Sequence, residues 1–113
     1  MTEKRSAHRK ALEKIALNSG KIEIPKVISS VIEKNLFHQG KLLAQPDVIF
    51  ECSNKDVYII EYKANGNDEL LRRAQIQLQN AVFWYGKYKD VEPEQIHTLI
   101  ISGSDPKYAE LFK

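Results

Sequence analysis

The chain has 113 residues, of which 42% are apolar and 28% carry a charge. This length predicts one domain, residues 1–113, with a single hydrophobic core. A net charge of +2 excludes the strongly basic balance of a histone-like binder, and the lone Cys52 excludes an intrachain disulfide and a multi-cysteine zinc site. No apolar run approaches the roughly 18 residues of a membrane helix, and the polar first ten residues lack a secretory leader. We therefore expect an intracellular, cytoplasmic protein with no membrane partner.

Helical spacing of small and apolar residues predicts a first helix over residues 5–18, with Ser6 as N-cap and Ser19-Gly20 as its end. Residues 21–24 alternate between polar and apolar, which predicts a short strand before Pro25. Residues 27–37 are consistent with either a short helix or an extension of that strand.

Residues 42–52 and 57–63 predict two strands joined by a turn over residues 53–56. The second is apolar at successive positions, which predicts a central strand buried on both faces. A loop follows, and Asp68 is the predicted N-cap of a long helix over residues 69–87. Residues 96–102 predict another strand, and Asp105-Pro106 is predicted to open a last helical turn that extends through residue 111. This alternation of helices and strands predicts an α/β fold.

Two acidic residues and a lysine lie at the ends of the central strands. Asp47 precedes the first strand, and Glu61-Tyr62-Lys63 ends the second. Residues two apart on a strand share a face, so Glu61 and Lys63 project together while Tyr62 points away. Asp47 reaches that face only if the connecting loop has an odd number of residues or a bulge intervenes, because a one-residue slip reverses every side chain. A three-residue loop over residues 54–56 would place Asp47 opposite Lys63.

Carboxylates that meet at one place suit Mg²⁺, which prefers oxygen ligands and for which Mn²⁺ can substitute. The expected ligands are Asp47, Glu61 and the backbone carbonyl of Tyr62. Lys63 would lie near an attacking water or a phosphate and act as a point cation. Without a metal, one of the two carboxylates should resist ionisation. The alternative is that Asp47 is a turn residue and that Glu61 and Lys63 are a surface pair.

The Pro46-Asp47 pair, the two strands and the Glu61-Tyr62-Lys63 ending resemble the PD-(D/E)xK nuclease superfamily, which includes restriction enzymes, RecB-type nucleases and archaeal Holliday-junction resolvases. This resemblance covers residues 9–103 except 26–41. It implies a restriction-endonuclease-like αβββαβ core, with a mixed four-stranded sheet flanked by helices. It also implies a metal-dependent nuclease that hydrolyses DNA phosphodiester bonds, with a junction- or flap-specific enzyme as one subtype.

Family members often carry a supporting Glu on the first helix, and Glu13 is the best match, with Glu33 as a weaker alternative. RecB-like members also carry a Gln on the helix after the ExK strand, and Gln77 is the closest match. Both would join Asp47, Glu61 and Lys63 in the catalytic set. The residue four after Gln77 is an alanine rather than a tyrosine, which departs from the RecB-type pattern.

Arginines and lysines near the two motifs are the candidate nucleic-acid contacts, although a solvated helix surface also explains them. These residues are Arg9, Lys10, Arg72 and Arg73. The aromatic residues Phe83, Trp84, Tyr85 and Tyr88 are too dense to face one side of a helix. We expect them to divide between the core and a homodimer interface. The histidines His8, His38 and His97 show no metal-binding spacing and are predicted to be surface or strand positions.

Two other classes of function stay open at this point. One is a nucleic-acid-binding module that keeps the fold without catalysis. The other is a structural or assembly protein in which the acidic strand ends are incidental and no metal binds. A chain this short could also depend on a partner protein for targeting.

Overall fold

The computed structural model describes residues 6–113. Helix α1 spans Ala7–Leu17, and the Ser6 hydroxyl caps it by accepting the N–H of Arg9 at 3.0 Å. The predicted first helix and its N-cap are therefore confirmed, except at position 5, which lies outside the described residues. The buried side chains of α1 include Leu12 and Ile15, which form one stripe along the helix.

Residues 21–24 do not form the predicted strand. A 3-10 helix spans Ser19–Ile22, and Glu23 adopts the left-handed conformation with φ 60°. Ile22 and Ile24 are both buried, so the alternation that indicated a strand reflects a turn that directs two isoleucines into the core. The first strand is instead β1, Val27–Ile32. Residues 27–37 therefore contain a strand and not a helix.

The predicted strand over residues 42–52 is two separate strands. Strand β2, Leu36–His38, pairs with β3, Lys41–Ala44, in a small antiparallel hairpin, and β4 spans Val48–Cys52. The break falls at Gln45-Pro46-Asp47, because Pro46 has no N–H to donate to a strand ladder.

Strand β5 spans Val57–Lys63, helix α2 spans Asp68–Tyr88, and β6 spans Ile96–Ser102, each within one residue of its predicted bounds. The N-cap of α2 is Asn67, whose Oδ1 accepts the N–H of Leu70 at 2.9 Å. The prediction of Asp68 was wrong by one residue, because Asp68 already has helical geometry. Short 3-10 helices span Pro93–Gln95 and Pro106–Phe112.

Four strands form one mixed sheet in the order β1-β4-β5-β6. The first three pair antiparallel, and β6 lies parallel to β5 after the crossover through α2. This confirms the predicted α/β class and the mixed four-stranded sheet. Within residues 6–113, no helix combines the length and the apolar character needed to cross a bilayer.

The two faces of the sheet carry separate apolar clusters. Val48 and Ile60 pack with Leu12 of α1 on one face. Ile49 and Ile59 pack with Leu78 of α2 on the other. Alternate residues of β4 and β5 thus serve opposite layers, as the two-residue period of a strand requires. Strand β5 is buried on both faces, which confirms the prediction that it is central.

Candidate active site

The register of the β4–β5 hairpin places the two predicted acids together. Val48 pairs with Ile60 and Glu51 pairs with Val57, so one further step of the same register places Asp47 opposite Glu61. The Cys52 N–H donates to the Asp56 carbonyl at 3.0 Å, which leaves a three-residue loop over residues 53–55. The odd-numbered loop that the hypothesis requires is present. It lies one residue earlier than expected, and Asp47 therefore faces Glu61 rather than Lys63.

The backbone geometry of the loop over residues 53–55 is that of a three-residue hairpin loop. The Lys55 N–H donates back to the Cys52 carbonyl at 3.0 Å, which closes a turn, and Lys55 has a φ of 73°. A turn followed by one left-handed residue is the usual form of a three-residue hairpin loop. Side-chain bonds of Asn54 support it, since Asn54 Oδ1 accepts the Asp56 N–H at 3.1 Å.

Asp47 and Glu61 bind each other's strand reciprocally. The backbone N–H of Asp47 donates to Glu61 Oε2 at 2.7 Å, and Asp47 Oδ2 accepts the backbone N–H of Tyr62 at 2.7 Å. Both residues are buried, with exposures of 8% and 3%. Each carboxylate thus has one oxygen bound to a main-chain N–H, and the second oxygen of Asp47 lies 3.4 Å from His8 Nε2.

The pKa of Glu61 is raised from 4.5 to about 7. Burial is the main cause, because it penalises the charged form, and the neighbouring charge of Asp47 is the second. The Asp47 N–H and the Lys63 ammonium act in the opposite direction. The expectation that one carboxylate resists ionisation in the absence of a metal agrees with this raised pKa.

The Tyr62 carbonyl points towards the same place. In an extended strand the N–H and C=O of one residue point to the same side. The Tyr62 N–H reaches Asp47, so its carbonyl is also directed to the β4 side. Two carboxylates and a carbonyl are hard oxygen donors of the kind that Mg²⁺ prefers, and a cation would relieve the repulsion that raises the pKa of Glu61. The residues therefore fit a divalent cation.

A metal at this place would depend on few side chains. Among residues 6–113, no three His, Cys, Asp or Glu side chains come together in a way that could hold a metal ion. Within the described part of the chain, Asp47, Glu61 and the Tyr62 carbonyl would be the protein ligands, and water and substrate oxygens would fill the remaining positions, as is usual for Mg²⁺.

Lys63 is two residues beyond Glu61 on β5, at the edge where the strand ends, and it is partly buried. Its ammonium forms no hydrogen bond or ion pair with another residue of the described range 6–113. Its charge lowers the pKa of Glu61, so it lies within electrostatic reach of the carboxylate pair. Within residues 6–113, Lys63 therefore offers a cation without a hydrogen-bond or ion-pair partner near the two acids.

Helix α1 contributes His8, which sequence reasoning assigned to the surface. His8 Nε2 lies 3.4 Å from Asp47 Oδ1, and the imidazole ring centroid is 5.9 Å from that of Tyr62. His8 side-chain atoms are still 47% exposed, so the ring sits at the mouth of the site. Helical spacing indicates this position, because His8 precedes the buried Leu12 and Ile15 by four and seven residues and therefore lies on the same side of α1.

Glu13 lies elsewhere on α1. Five residues after His8 correspond to a rotation of about 140° around the helix, so Glu13 and His8 face different directions. Arg9 Nε is 4.0 Å from Glu13 Oε2. Glu33, the weaker alternative, is bound to one of the acids through the main chain, since its N–H donates to the Asp47 carbonyl at 3.0 Å. The Glu33 carboxylate binds the Arg9 guanidinium at 2.9 Å, so Arg9 has structural partners.

Gln77 connects α2 to the segment before Asp47. Its Oε1 accepts the backbone N–H of Gln45 at 3.0 Å. Gln77 therefore supports the chain two residues from Asp47.

The other candidate nucleic-acid contacts occupy two different surfaces. Lys10 is exposed on α1 and lines a groove of about 260 Å³ with Tyr62 and Phe112. Arg72 and Arg73 both bind Glu69 at 3.3 Å in the first turns of α2. These ion pairs are exposed and weak, so the two arginines remain able to exchange Glu69 for another anion.

The aromatic residues of α2 divide between the core and the hairpin. Tyr85 is 1% exposed in the core. The Trp84 indole donates to the Phe37 carbonyl at 2.9 Å, and the Tyr88 hydroxyl lies 2.6 Å from His38 Nδ1. Part of the set that was expected to form a dimer interface thus packs on the chain's own β2–β3 hairpin, while Phe83 remains half-exposed.

Comparisons with known proteins identify a similar fold and no family. No family model matches the chain, and no curated protein matches it. The structure is similar to the crystal structure of a repair endonuclease from Pyrococcus abyssi, with a TM-score of 0.59 and 13% sequence identity. The match covers 98% of this chain and 44% of that chain, so the chain spans less than half of the length of that relative. At this identity the similarity concerns the fold alone: the chain has a fold similar to that of part of a repair endonuclease.

Proposed function

We propose that the protein is a metal-dependent nuclease that hydrolyses DNA phosphodiester bonds, built on a restriction-endonuclease-like αβββαβ core. One observation carries the proposal. Asp47 and Glu61 meet across a hairpin of odd loop length, are both buried, and have Lys63 beside them with its ammonium uncommitted within the described chain. A purely structural use of this triad would gain little, because burying a carboxylate pair is costly even though protonation of Glu61 and the two main-chain N–H bonds relieve part of the repulsion.

The donor set suggests which residues would hold the metal. Asp47, Glu61 and the Tyr62 carbonyl would bind Mg²⁺, or Mn²⁺ in its place. When bound, such an ion polarises the phosphate and favours the ionised form of a water molecule. The observed hydrogen bonds from the Asp47 and Tyr62 N–H groups would hold the two carboxylates in place, so little reorganisation is needed.

Lys63 would act on the reacting phosphate. In the hydrolysis, the water oxygen forms a bond to phosphorus, one phosphorus–oxygen ester bond breaks, and the leaving oxygen takes up a proton. Negative charge grows on the phosphate oxygens during this step, and the Lys63 ammonium would offset it or orient the water. His8, at the mouth of the site beside Asp47 Oδ1, is placed to contact the substrate or a water.

The substrate class and the assembly extend the proposal. The expected substrate is DNA with a particular structure, such as a junction or a flap. A homodimer would supply the two sites needed to cut two strands, and a separate protein could provide targeting. Nucleic-acid contacts by Lys10, Arg72 and Arg73 are part of this proposal, since all three are exposed on the helices that flank the site.

The decisive experiment is cleavage of a panel of labelled DNAs (duplex, single strand, flap and four-way junction) with Mg²⁺ or Mn²⁺. Wild type is compared with Lys63→Ala and Asp47→Ala, and with Lys21→Ala as a matched control, since Lys21 is exposed in the first 3-10 helix. We expect metal-dependent cutting by wild type and the control, and a loss of at least about 100-fold in the two site variants.

The other outcomes separate the alternatives. Cutting that survives in Lys63→Ala and Asp47→Ala would overturn the assignment of the site. If wild type binds these DNAs with no cleavage, the protein is a nucleic-acid-binding module. If it neither binds nor cuts DNA and no metal changes its thermal stability, the structural or assembly function is the better description.

A further inference from the structure

Two segments of the chain contain no acidic residue, and the fold places them side by side. Residues 34–46 and residues 70–89 contain no Asp or Glu. The first segment contains Lys34 and Lys41. The second contains Lys87 and Lys89 in addition to Arg72 and Arg73. The first segment holds the β2–β3 hairpin and the second forms most of α2. We call the surface formed by these two segments the hairpin–α2 face. Because the whole chain has a net charge of only +2, its negative charge is concentrated elsewhere.

Three polar side chains of α2 bind the hairpin to the helix. Gln77 accepts the Gln45 N–H at 3.0 Å, Asn80 donates to the Leu43 carbonyl at 3.3 Å, and Trp84 donates to the Phe37 carbonyl at 2.9 Å. The three lie on one side of the helix, three and four residues apart. The hairpin–α2 face is therefore one joined surface. It begins two residues from Asp47 and continues to the C-terminal end of α2.

Aromatic rings lie exposed on this face, and two of them contact His38. Phe37 is 54% exposed, Phe83 is 50% exposed and Tyr88 is 44% exposed. His38 holds two of them, with its Nδ1 2.6 Å from the Tyr88 hydroxyl and its ring edge-on to Phe83 at a centroid distance of 5.4 Å. Exposed and rigid rings can stack on nucleobases at little cost in conformational entropy.

Lysines surround the aromatic rings. Lys34 and Lys89 place their ammonium groups 5.8 and 5.9 Å from the Trp84 ring, and Lys87 lies 6.0 Å from the Tyr88 ring. The acidic residues nearest along the chain are Glu33, which precedes Lys34 and binds Arg9, and Asp90, which follows Lys89. Cations beside exposed aromatic rings combine phosphate attraction with base stacking, which is the pattern of surfaces that bind single strands.

We propose that the hairpin–α2 face binds a single strand of DNA and leads it to the Asp47–Glu61 site. This proposal takes DNA as the substrate from the proposed function and adds the surface that binds the DNA. From Gln77 to Tyr88 the helix rises about 17 Å, so the face holds several nucleotides on one side of the cut. The proposal selects an unpaired strand over a duplex, because exposed rings stack on bases that are already unpaired.

Trp84 makes the test direct, since it is the single tryptophan of the chain. Its fluorescence is measured during titration with a single-stranded oligonucleotide in EDTA, where no cutting takes place. We expect quenching by the single strand, weaker quenching by a duplex, and binding that weakens as salt rises. Lys87→Gln/Lys89→Gln should lower the slope of log affinity against log salt by about 1.4. Tyr88→Ala should weaken binding about tenfold.

A matched control carries the same change of charge on other surfaces. Lys21 and Lys107 are both exposed outside the hairpin–α2 face, and Lys21→Gln/Lys107→Gln should bind as wild type does. An equal loss of DNA affinity in both double variants would show that binding depends only on the net charge of the protein, and it would overturn the proposal. Quenching by polyglutamate without quenching by DNA, or quenching that follows protein concentration alone, would overturn it in favour of an acidic partner or a second copy.

The outcomes also distinguish this proposal from the nuclease itself. If wild type cuts DNA and the variants of the hairpin–α2 face bind and cut equally well, the nuclease stands and the face has no role. If single strands quench Trp84 in a lysine-dependent way and no DNA is ever cut, the face is a nucleic-acid surface and the catalytic proposal fails.

Discussion

The backbone N–H of Asp47 donates to the carboxylate of Glu61 at 2.7 Å, and this bond is buried. One acid is thus bound by the main chain of the other, and the Asp47 carboxylate returns the contact by accepting the N–H of Tyr62. The two strand ends are fixed to each other by groups that also define the candidate metal site. Stability and metal affinity are therefore coupled through the same few atoms.

Glu61 makes the stability of the metal-free protein depend on pH. Its pKa is 4.5 in an ordinary setting and about 7 in the folded protein. Below pH 4.5 the carboxyl is protonated in both states and carries no penalty. As pH rises from 4.5 to 7 the unfolded chain releases a proton that the folded chain retains, so folding loses up to about 3 kcal/mol, and above pH 7 this loss is constant.

The variant Glu61→Gln isolates this effect, because its amide does not titrate and its oxygen can still accept the Asp47 N–H. Denaturant unfolding in EDTA at pH 4, 6 and 8 gives the free energy of unfolding of both proteins. From pH 4 to pH 8, the free energy of unfolding of the variant should rise by about 3 kcal/mol relative to that of the wild type. A difference that stays constant with pH would show that Glu61 ionises normally in the fold.

Divalent metal should raise the thermal stability of the wild type. A cation present at about ten times its dissociation constant adds about 1.4 kcal/mol, which corresponds to about 5 °C for a chain of this size. The rise should be larger at pH 8 than at pH 6, because protons compete with the metal for Glu61. Melting curves with Mn²⁺ or Mg²⁺ against EDTA measure it.

Asp47→Asn should abolish this rise, whereas Asp68→Asn should keep it, since Asp68 is exposed in the first turn of α2. An equal rise in both variants would mean that the metal binds outside the Asp47–Glu61 site. In that case Lys63 and the two acids would need another explanation.

Gln77→Ala should reduce both stability and cleavage. The substitution leaves the Gln45 N–H without its acceptor and costs about 1 kcal/mol, and the loosened segment carries Asp47. Gln79→Ala is the matched control, because Gln79 is exposed two residues along the same helix, and its effect should stay within about 0.5 kcal/mol. Denaturant unfolding and cleavage rates are compared, and equal behaviour of the two variants would assign Gln77 to plain helix surface.

Two glycines should respond in opposite ways to alanine. A Cβ at Gly103 would lie 2.5 Å from the Tyr62 hydroxyl and 3.1 Å from the Ala64 carbonyl oxygen, beside the end of β5. Gly103→Ala should therefore cost about 1–3 kcal/mol. Gly86 lies within α2 with no heavy atom within 4 Å of its added Cβ, so Gly86→Ala should stabilise by about 0.5–1 kcal/mol. Urea unfolding of both variants measures these changes, and a neutral Gly103→Ala would mean that the Tyr62 ring moves freely.

The hairpin could be predicted from the sequence because its determinants are local. Alternation along β5 and the turn residues before it fix which side chains share a face, so the meeting of Asp47 and Glu61 followed from an odd loop. The errors were also local. Ile22 and Ile24 have the alternating pattern of a strand but belong to a 3-10 turn and the segment after it. The break at Pro46 follows from the lack of an N–H at this residue.

Contacts between distant segments could not be predicted in the same way. His8 reaches Asp47 across 39 positions, and Trp84 reaches Phe37 across 47. Helical spacing shows which side of α1 or α2 is apolar, but not which loop or hairpin crosses it. The segment 27–37 was the least determined for this reason, since its strands are stabilised by partners elsewhere in the chain.

The loop over residues 53–55 lies at the opposite end of the hairpin from the acids, about 17 Å along β4. Its side chains touch neither Asp47 nor Glu61, yet its length decides whether those two acids face each other. Insertion or deletion of one residue in this loop would turn Asp47 away from Glu61, although every candidate catalytic residue would still be present in the sequence. The number of residues in this loop is therefore as much a requirement of the site as the two acids themselves.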